Sequence, residues 1–228
     1  MSRCWAMLSP QIIDLLIKGL VDTLHMVAVS GLIGTLIGLP IGVMLAVTGR
    51  GELLQNFAFN KVMGAVVNMT RSTPFIILVV AIIPFTRLIA GTSIGTNAAI
   101  VPLTVAAAPF IARVVENAVR EVDRGLVEAA QAMGATPFQI IRKVLLPEAL
   151  PGIVAGLTLS AVSLVGYSAM VGAVGGGGLG DLGIRYGYQR FLPEVMLAVV
   201  IVLIVLVQIV QSTGDLIARR VNKRNLKS

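Results

Sequence analysis

Five apolar runs, each long enough to cross a bilayer, decide what this chain is able to fold into. They cover about residues 24–47, 57–84, 98–115, 152–174 and 193–210. A hydrocarbon core of ~30 Å takes about 20 helical residues, and inside lipid the backbone groups of a span must be satisfied within that span. The expected fold class is therefore all-α integral membrane, with five transmembrane helices. A mean hydropathy of +0.91 and a charged fraction of 13% agree with this, since soluble domains carry about 25% charge.

Ahead of the first run, Ser9-Pro10 has the chemistry of a helix cap and first helical residue. Ile12, Ile13, Leu16, Ile17 and Leu20 then fall on one side, and Gln11, Asp14 and Lys18 on the other. Residues 1–20 are thus expected to contain a helix lying at the membrane surface. The first ten residues lack the apolar core and cleavage site of a signal peptide, so the first span is expected to serve as an uncleaved signal. Cys4, the single cysteine, has no partner for an internal disulfide or a cysteine metal cage.

The net charge of +7 is unevenly distributed. With five spans, twelve basic residues fall on one side: Arg50, Lys61, Arg113, Arg120, Arg124, Arg142, Lys143, Arg219, Arg220, Lys223, Arg224 and Lys227. Five fall on the other: Arg3, Lys18, Arg87, Arg185 and Arg190. Positive loops stay inside, which puts the N-terminus outside and the C-terminus, with a basic tail over 214–228, in the cytoplasm. That bias accounts for the basic charge without nucleic acid.

Within the runs, a few residues stand out. Gly34, Gly38 and Gly42 recur every four residues and predict close helix approach. His25, alone, suits a structural or interfacial role better than a proton relay. Arg71, in an apolar run just before Pro74, either snorkels or bonds carbonyls freed at the kink, or belongs to a solute pathway. Pro102 and Pro109 break or bend the third span. Gly152, Gly156, Ser160, Ser163 and Tyr167 share one face of the fourth, which serves packing or presents hydrogen bonds to a solute. Residues 175–183 are glycine-rich but lack the Gly-Lys-Ser/Thr ending of a phosphate loop, so a tight, pliable turn is expected, with Tyr186, Tyr188 and Phe191 at the interface.

One polar module interrupts the pattern, over residues 123–147. Asp123 caps a first short helix, with Leu126, Val127, Ala130 and Met133 as its apolar face, and Gly134 fits a left-handed stop. Thr136, Pro137 and Gln139 spell a capping box for a second helix, striped by Phe138, Ile141 and Leu145. Pro147 and Pro151 are expected to end the module. It reads as a docking surface.

The acidic residues number eleven and lie in loops, in the N-terminal segment or at span ends, as do Glu116 and Glu194. Ion-driven carriers place carboxylates or histidines at mid-membrane, so self-contained secondary transport is disfavoured. No nucleotide-binding motif is present. A docking module in a chain with neither energy source points to a motor on another polypeptide.

Glu128-Ala129-Ala130, then Gly134, Val144, Leu146 and Pro147 resemble the EAA motif of bacterial ABC importer permeases, in which these helices couple to the ATP-hydrolysing subunit. Met133 departs from the Asp of many members. Arg71-Ser-Thr-Pro-Phe-Ile-Ile-Leu, Ile83-Pro-Phe-Thr-Arg87, Gly91-Thr-Ser-Ile-Gly95, Ala107-Ala-Pro-Phe-Ile-Ala-Arg-Val-Val-Glu-Asn117 and Leu164-Val-Gly-Tyr-Ser-Ala-Met170 are similar to methionine importer permeases. The resemblance implies a type I importer fold, with its transmembrane domain over 21–213. It also implies a homodimer in the bacterial inner membrane, two ATPase subunits and a periplasmic methionine-binding lipoprotein. It implies no catalysis, cofactor or metal in this chain. Ser163, Tyr167, Met170 and Arg71 are the pathway candidates, Tyr and Met suiting a thioether side chain. A permease for another amino acid or a phosphonate is the nearer alternative, and a channel or secondary carrier the farther one.

Overall fold

The computed structural model describes residues 10–222. Cys4, the Ser9 cap, Arg3 and the tail residues Lys223, Arg224 and Lys227 lie outside them. Among the described residues every regular element is helical. Four helices are long and apolar enough to cross a membrane, and a bent pair makes a fifth, broken span.

α1 (Pro10–Val47) is one helix of 38 residues, with no break between residues 10–20 and the span from Leu24. Between Lys18 and Leu24 the weakest former is Gly19, and one glycine beside Val21, Asp22 and Thr23 is too little to stop a helix. At 1.5 Å per residue α1 is about 57 Å long, well beyond a ~30 Å hydrocarbon core. The described part of the segment expected to lie at the surface, residues 10–20, is thus continuous with the first span.

α1 packs along α5 (Thr96–Arg120) through the glycine stripe. A Cβ on Gly38 would lie 2.6 Å from the Ala108 carbonyl oxygen, and one on Gly42 would overlap that of Ala112. The two backbones touch, as the four-residue spacing predicts. Pro102 and Pro109 sit inside α5 without ending it.

The second run is not one straight span. α2 (Phe57–Ser72) and α3 (Phe75–Ala81) meet at 102°. Pro74 has no N–H to give, and the residue before a proline is pushed out of the helical region; Thr73 is extended, at φ −80° and ψ 126°. α4 (Ile83–Ala90) follows α3 after a single break at Ile82.

α6 (Arg124–Ala132) and α7 (Pro137–Ile140) form the polar module. Contrary to expectation, Pro147 and Pro151 do not end it: α7 runs through a widened turn at Ile141–Leu145 into α8 (Leu146–Gly172). The Leu146 N–H donates to the Ile141 carbonyl, five residues back rather than four. In that wider ring the proline at 147 finds room for its pyrrolidine and has no ladder bond to lose.

The glycine-rich stretch turns only over residues 175–177, then forms α9 (Gly178–Leu182) and a second wide turn, Gly183–Tyr188. The Leu179 N–H donates to Thr23 Oγ1 at 2.9 Å, tying α9 to α1. α10 (Pro193–Val221) continues past residue 210 into the basic tail. The core lies where α1, α5 and α8 meet, around Met26, Leu103, Ile111, Val115 and Leu164.

Candidate functional site

Two regions carry the residues singled out above. The first is the polar module. Asp123 accepts the Gly125 N–H at 2.8 Å and starts α6. Gly134 ends it at φ +80°. Its N–H donates to the Gln131 carbonyl at 2.9 Å, and that of Ala135 to Ala130 at 3.1 Å. These two bonds close a Schellman motif. No atom lies within 4 Å of a Cβ built on Gly134, so conformation rather than space calls for glycine. Then Thr136 Oγ1 accepts from the Gln139 N–H, while Gln139 Oε1 accepts from the Thr136 N–H at 2.9 Å. The capping box is complete.

The module's faces differ from the expected stripe. Val127 and Ala130 pack inward, but Leu126 faces solvent and Met133 is 82% exposed. Around the helix Ala130 lies between Val127 and Leu126, so burial falls off across the stripe from Val127 and Ala130 toward Leu126 and Met133. Phe138, expected on the inner face, is 70% exposed. Of the motif residues, Glu128, Ala129, Gly134 and Pro147 are exposed; Ala130 is buried, and Val144 and Leu146 pack partly against the core. The presented surface is thus Glu128, Ala129 and Gly134 flanked by Met133 and Phe138. Beside it opens a cleft of about 540 Å³, lined by Glu128, Gln131, Arg120, Arg124 and the loop of residues 49–53. That loop has no motif to betray it in the sequence. Glu52 and Arg124 approach to 3.7 Å across the cleft, an exposed pair of little energetic weight.

The second region is a cavity of about 150 Å³ where α2, α3, α5 and α8 converge. The Tyr167 ring stacks on Phe75, with centroids 4.5 Å apart and planes 15° from parallel. The Arg71 guanidinium lies over the Phe110 ring at 5.8 Å, a cation–π arrangement. Two of the four pathway candidates, Arg71 and Tyr167, therefore meet here. Ser163 and Met170 do not line the cavity, and the Ser163 hydroxyl donates back to the Leu159 carbonyl at 2.9 Å. Phe75 and Phe110 were missed. Each follows a proline, but so do Phe85 and Phe138, which line no part of the cavity, so the pair is no signal by itself.

Between the two regions sits a buried carboxylate, against the expectation that the spans hold none. Glu116 is 2% exposed, with Oε2 held by Arg113 at 2.6 Å and Oε1 by Arg120 at 2.9 Å. Arg113 also donates to Asn68 Oδ1 of α2 at 2.6 Å. Two guanidinium partners make this a structural ion triad rather than an open proton relay.

The class defined here is an all-helical, membrane-spanning protein that presents a capped, exposed helical module. Residues 38–223 match the family model described as the binding-protein-dependent transport system inner membrane component, and the chain belongs to that family. It is 59% identical to a probable D-methionine transport system permease protein of Vibrio cholerae, over 92% of this chain and 94% of the relative. It is 61% identical to the D-methionine transport system permease protein of Escherichia coli K12, over 69% of this chain and 73% of that one. A chain of the MetNI methionine ABC transporter, solved in inward-facing conformations, superposes with a TM-score of 0.92 at 56% identity. It covers 94% of this chain and all (100%) of that one.

Proposed function

We propose that this chain is the permease subunit of an ATP-driven importer that carries methionine, in its L- and D-forms, across the bacterial inner membrane. It works as a homodimer with two copies of a separate ATPase subunit and a periplasmic methionine-binding lipoprotein. The observation that carries the reading is the match to the methionine transporter chain, 56% identical along 94% of this one. In this reading, Glu128, Ala129, Ala130 and Gly134 form the motor contact, with Val144, Leu146 and Pro147 behind them. Exposure of Glu128, Ala129 and Gly134 supports it. The charge bias places that module in the cytoplasm. ATP binding closes the motor subunits, the module moves as a lever, and the permease pair swings from inward- to outward-facing; hydrolysis resets it. Nucleotide drives this because it binds the two states with different affinity. Arg71 and Tyr167 line the path, and the stacked Phe75 and Tyr167 rings suit a thioether.

The test is uptake of labelled methionine into proteoliposomes holding the permease and ATPase, with binding protein and ATP supplied. Uptake should require every component. Uptake by this chain alone, without ATP, would make it a channel or secondary carrier. Uptake of a different amino acid in place of methionine would shift the cargo.

A further inference from the structure

The polar surface between α2 and α5 continues beyond the Tyr167 cavity. Positions 64, 68 and 71 share one face of α2, and 106, 110, 113 and 120 share one face of α5. One helical turn from Arg71 and Phe110, a second cleft of about 360 Å³ opens along the same groove. It is lined by Asn60, Lys61, Asn68, Arg113, Glu116 and Arg120. Arg120 also lines the cleft beside Glu128, so the groove leads from the candidate pathway toward the coupling end.

Its charge is cationic. Three basic side chains face one carboxylate, and that carboxylate is buried behind the two arginines that hold it. Arg113 is committed to Glu116 and Asn68. Lys61, exposed, and Arg120, half-exposed, are what an incoming anion meets. Asn60 donates to the Leu45 carbonyl at 2.7 Å and to Thr48 Oγ1 at 3.1 Å, which fixes its amide and keeps its oxygen as an acceptor.

We propose that this cleft is an exit subsite for the carboxylate of the transported amino acid, held by Lys61 and Arg120 as the solute leaves the aromatic cavity. The ammonium group finds the Asn60 oxygen. Open, hydrated cations bind a carboxylate weakly, as a site that must release its ligand requires. The proposal rests on the importer reading given above.

The test places a thiol in the cleft without touching its charged groups: Ala65→Cys, an exposed lining residue, in a Cys4→Ser background of the assembled importer. Labelling rates are measured with anionic sulfonatoethyl and cationic trimethylammonioethyl methanethiosulfonates, each normalised to its rate with free 2-mercaptoethanol. The anionic reagent should be favoured by about fivefold, the upper end of what one exposed ion pair contributes. Lys61→Gln should bring the ratio toward one and Lys61→Arg restore it, and saturating methionine during turnover should slow labelling. Equal normalised rates would overturn the proposal. So would no labelling by either reagent, which means a cleft closed by lipid or the partner copy, or protection by inorganic phosphate or phosphatidylglycerol but not by methionine. Should the importer reading itself fail, the unsubstituted assembly takes up no methionine, while the charge ratio remains measurable.

Discussion

Glu116 is the residue on which most of the buried charge turns. Taking a carboxylate out of water costs several kcal/mol, repaid here by two guanidinium groups on its own helix and, through Arg113, by Asn68 on the next. Removing it strands Arg113, which is three-quarters buried. Glu116→Leu is expected to destabilise the subunit by about 3–5 kcal/mol, measured by denaturation of the purified complex in detergent. The double variant Arg113→Met/Glu116→Leu should recover most of that loss, since it removes the stranded charge. The sequence makes half of this legible. Glu116 and Arg120 are an i,i+4 pair readable on a helix. The bond to Asn68 joins residues 45 apart in sequence, and no local pattern reports it.

At the scale of elements, the decisive feature is the continuity of α7, the wide turn at Ile141–Leu145 and α8 into one rod over Pro137–Gly172. In the proposed lever, a module hinged at Pro147 would lose motion at the joint, whereas a rod would deliver displacement of Phe138 directly to the span bearing Tyr167. One extra residue in the turn sets the rotational phase of α7 against α8. Deleting Lys143 restores a four-residue ladder and rotates α7 by about 100° relative to the span. Methionine uptake should fall to background while the chain still inserts and ATP is still hydrolysed. Uptake at the unaltered rate would remove the phase argument. The individual pieces, caps and prolines, are readable in the chain. Their joining is not, because prolines at 147 and 151 read locally as stops; the wide turn before Leu146 carries the helix past the first, and the second sits inside α8.

For the molecule as a whole, the proposed lever requires that the module move without disturbing the packing of α1, α5 and α8. Gly134 separates the two requirements: it is exposed, and nothing lies within 4 Å of its Cβ position. Proline there cannot reach φ +80° and loses the N–H given to Gln131, a local cost of about 3 kcal/mol. Gly134→Pro should therefore leave insertion and assembly unchanged, abolish uptake, and disconnect ATP hydrolysis from the binding protein. Normal uptake by this variant would rule out the lever. The sequence by itself determined what depends on neighbours along the chain: the apolar runs and their lengths, the glycine stripe, the capping box and the left-handed stop. These follow from backbone bonds three to five residues apart and from the cost of an unpaired peptide group in lipid. Tertiary structure alone decided which side of each helix faces out. Met133 and Phe138, apolar enough for a core, stand exposed, while Phe75 and Phe110 close on Tyr167 and Arg71. Burial is a property of the packed helices, since a short helix has an inside only where its neighbours give it one.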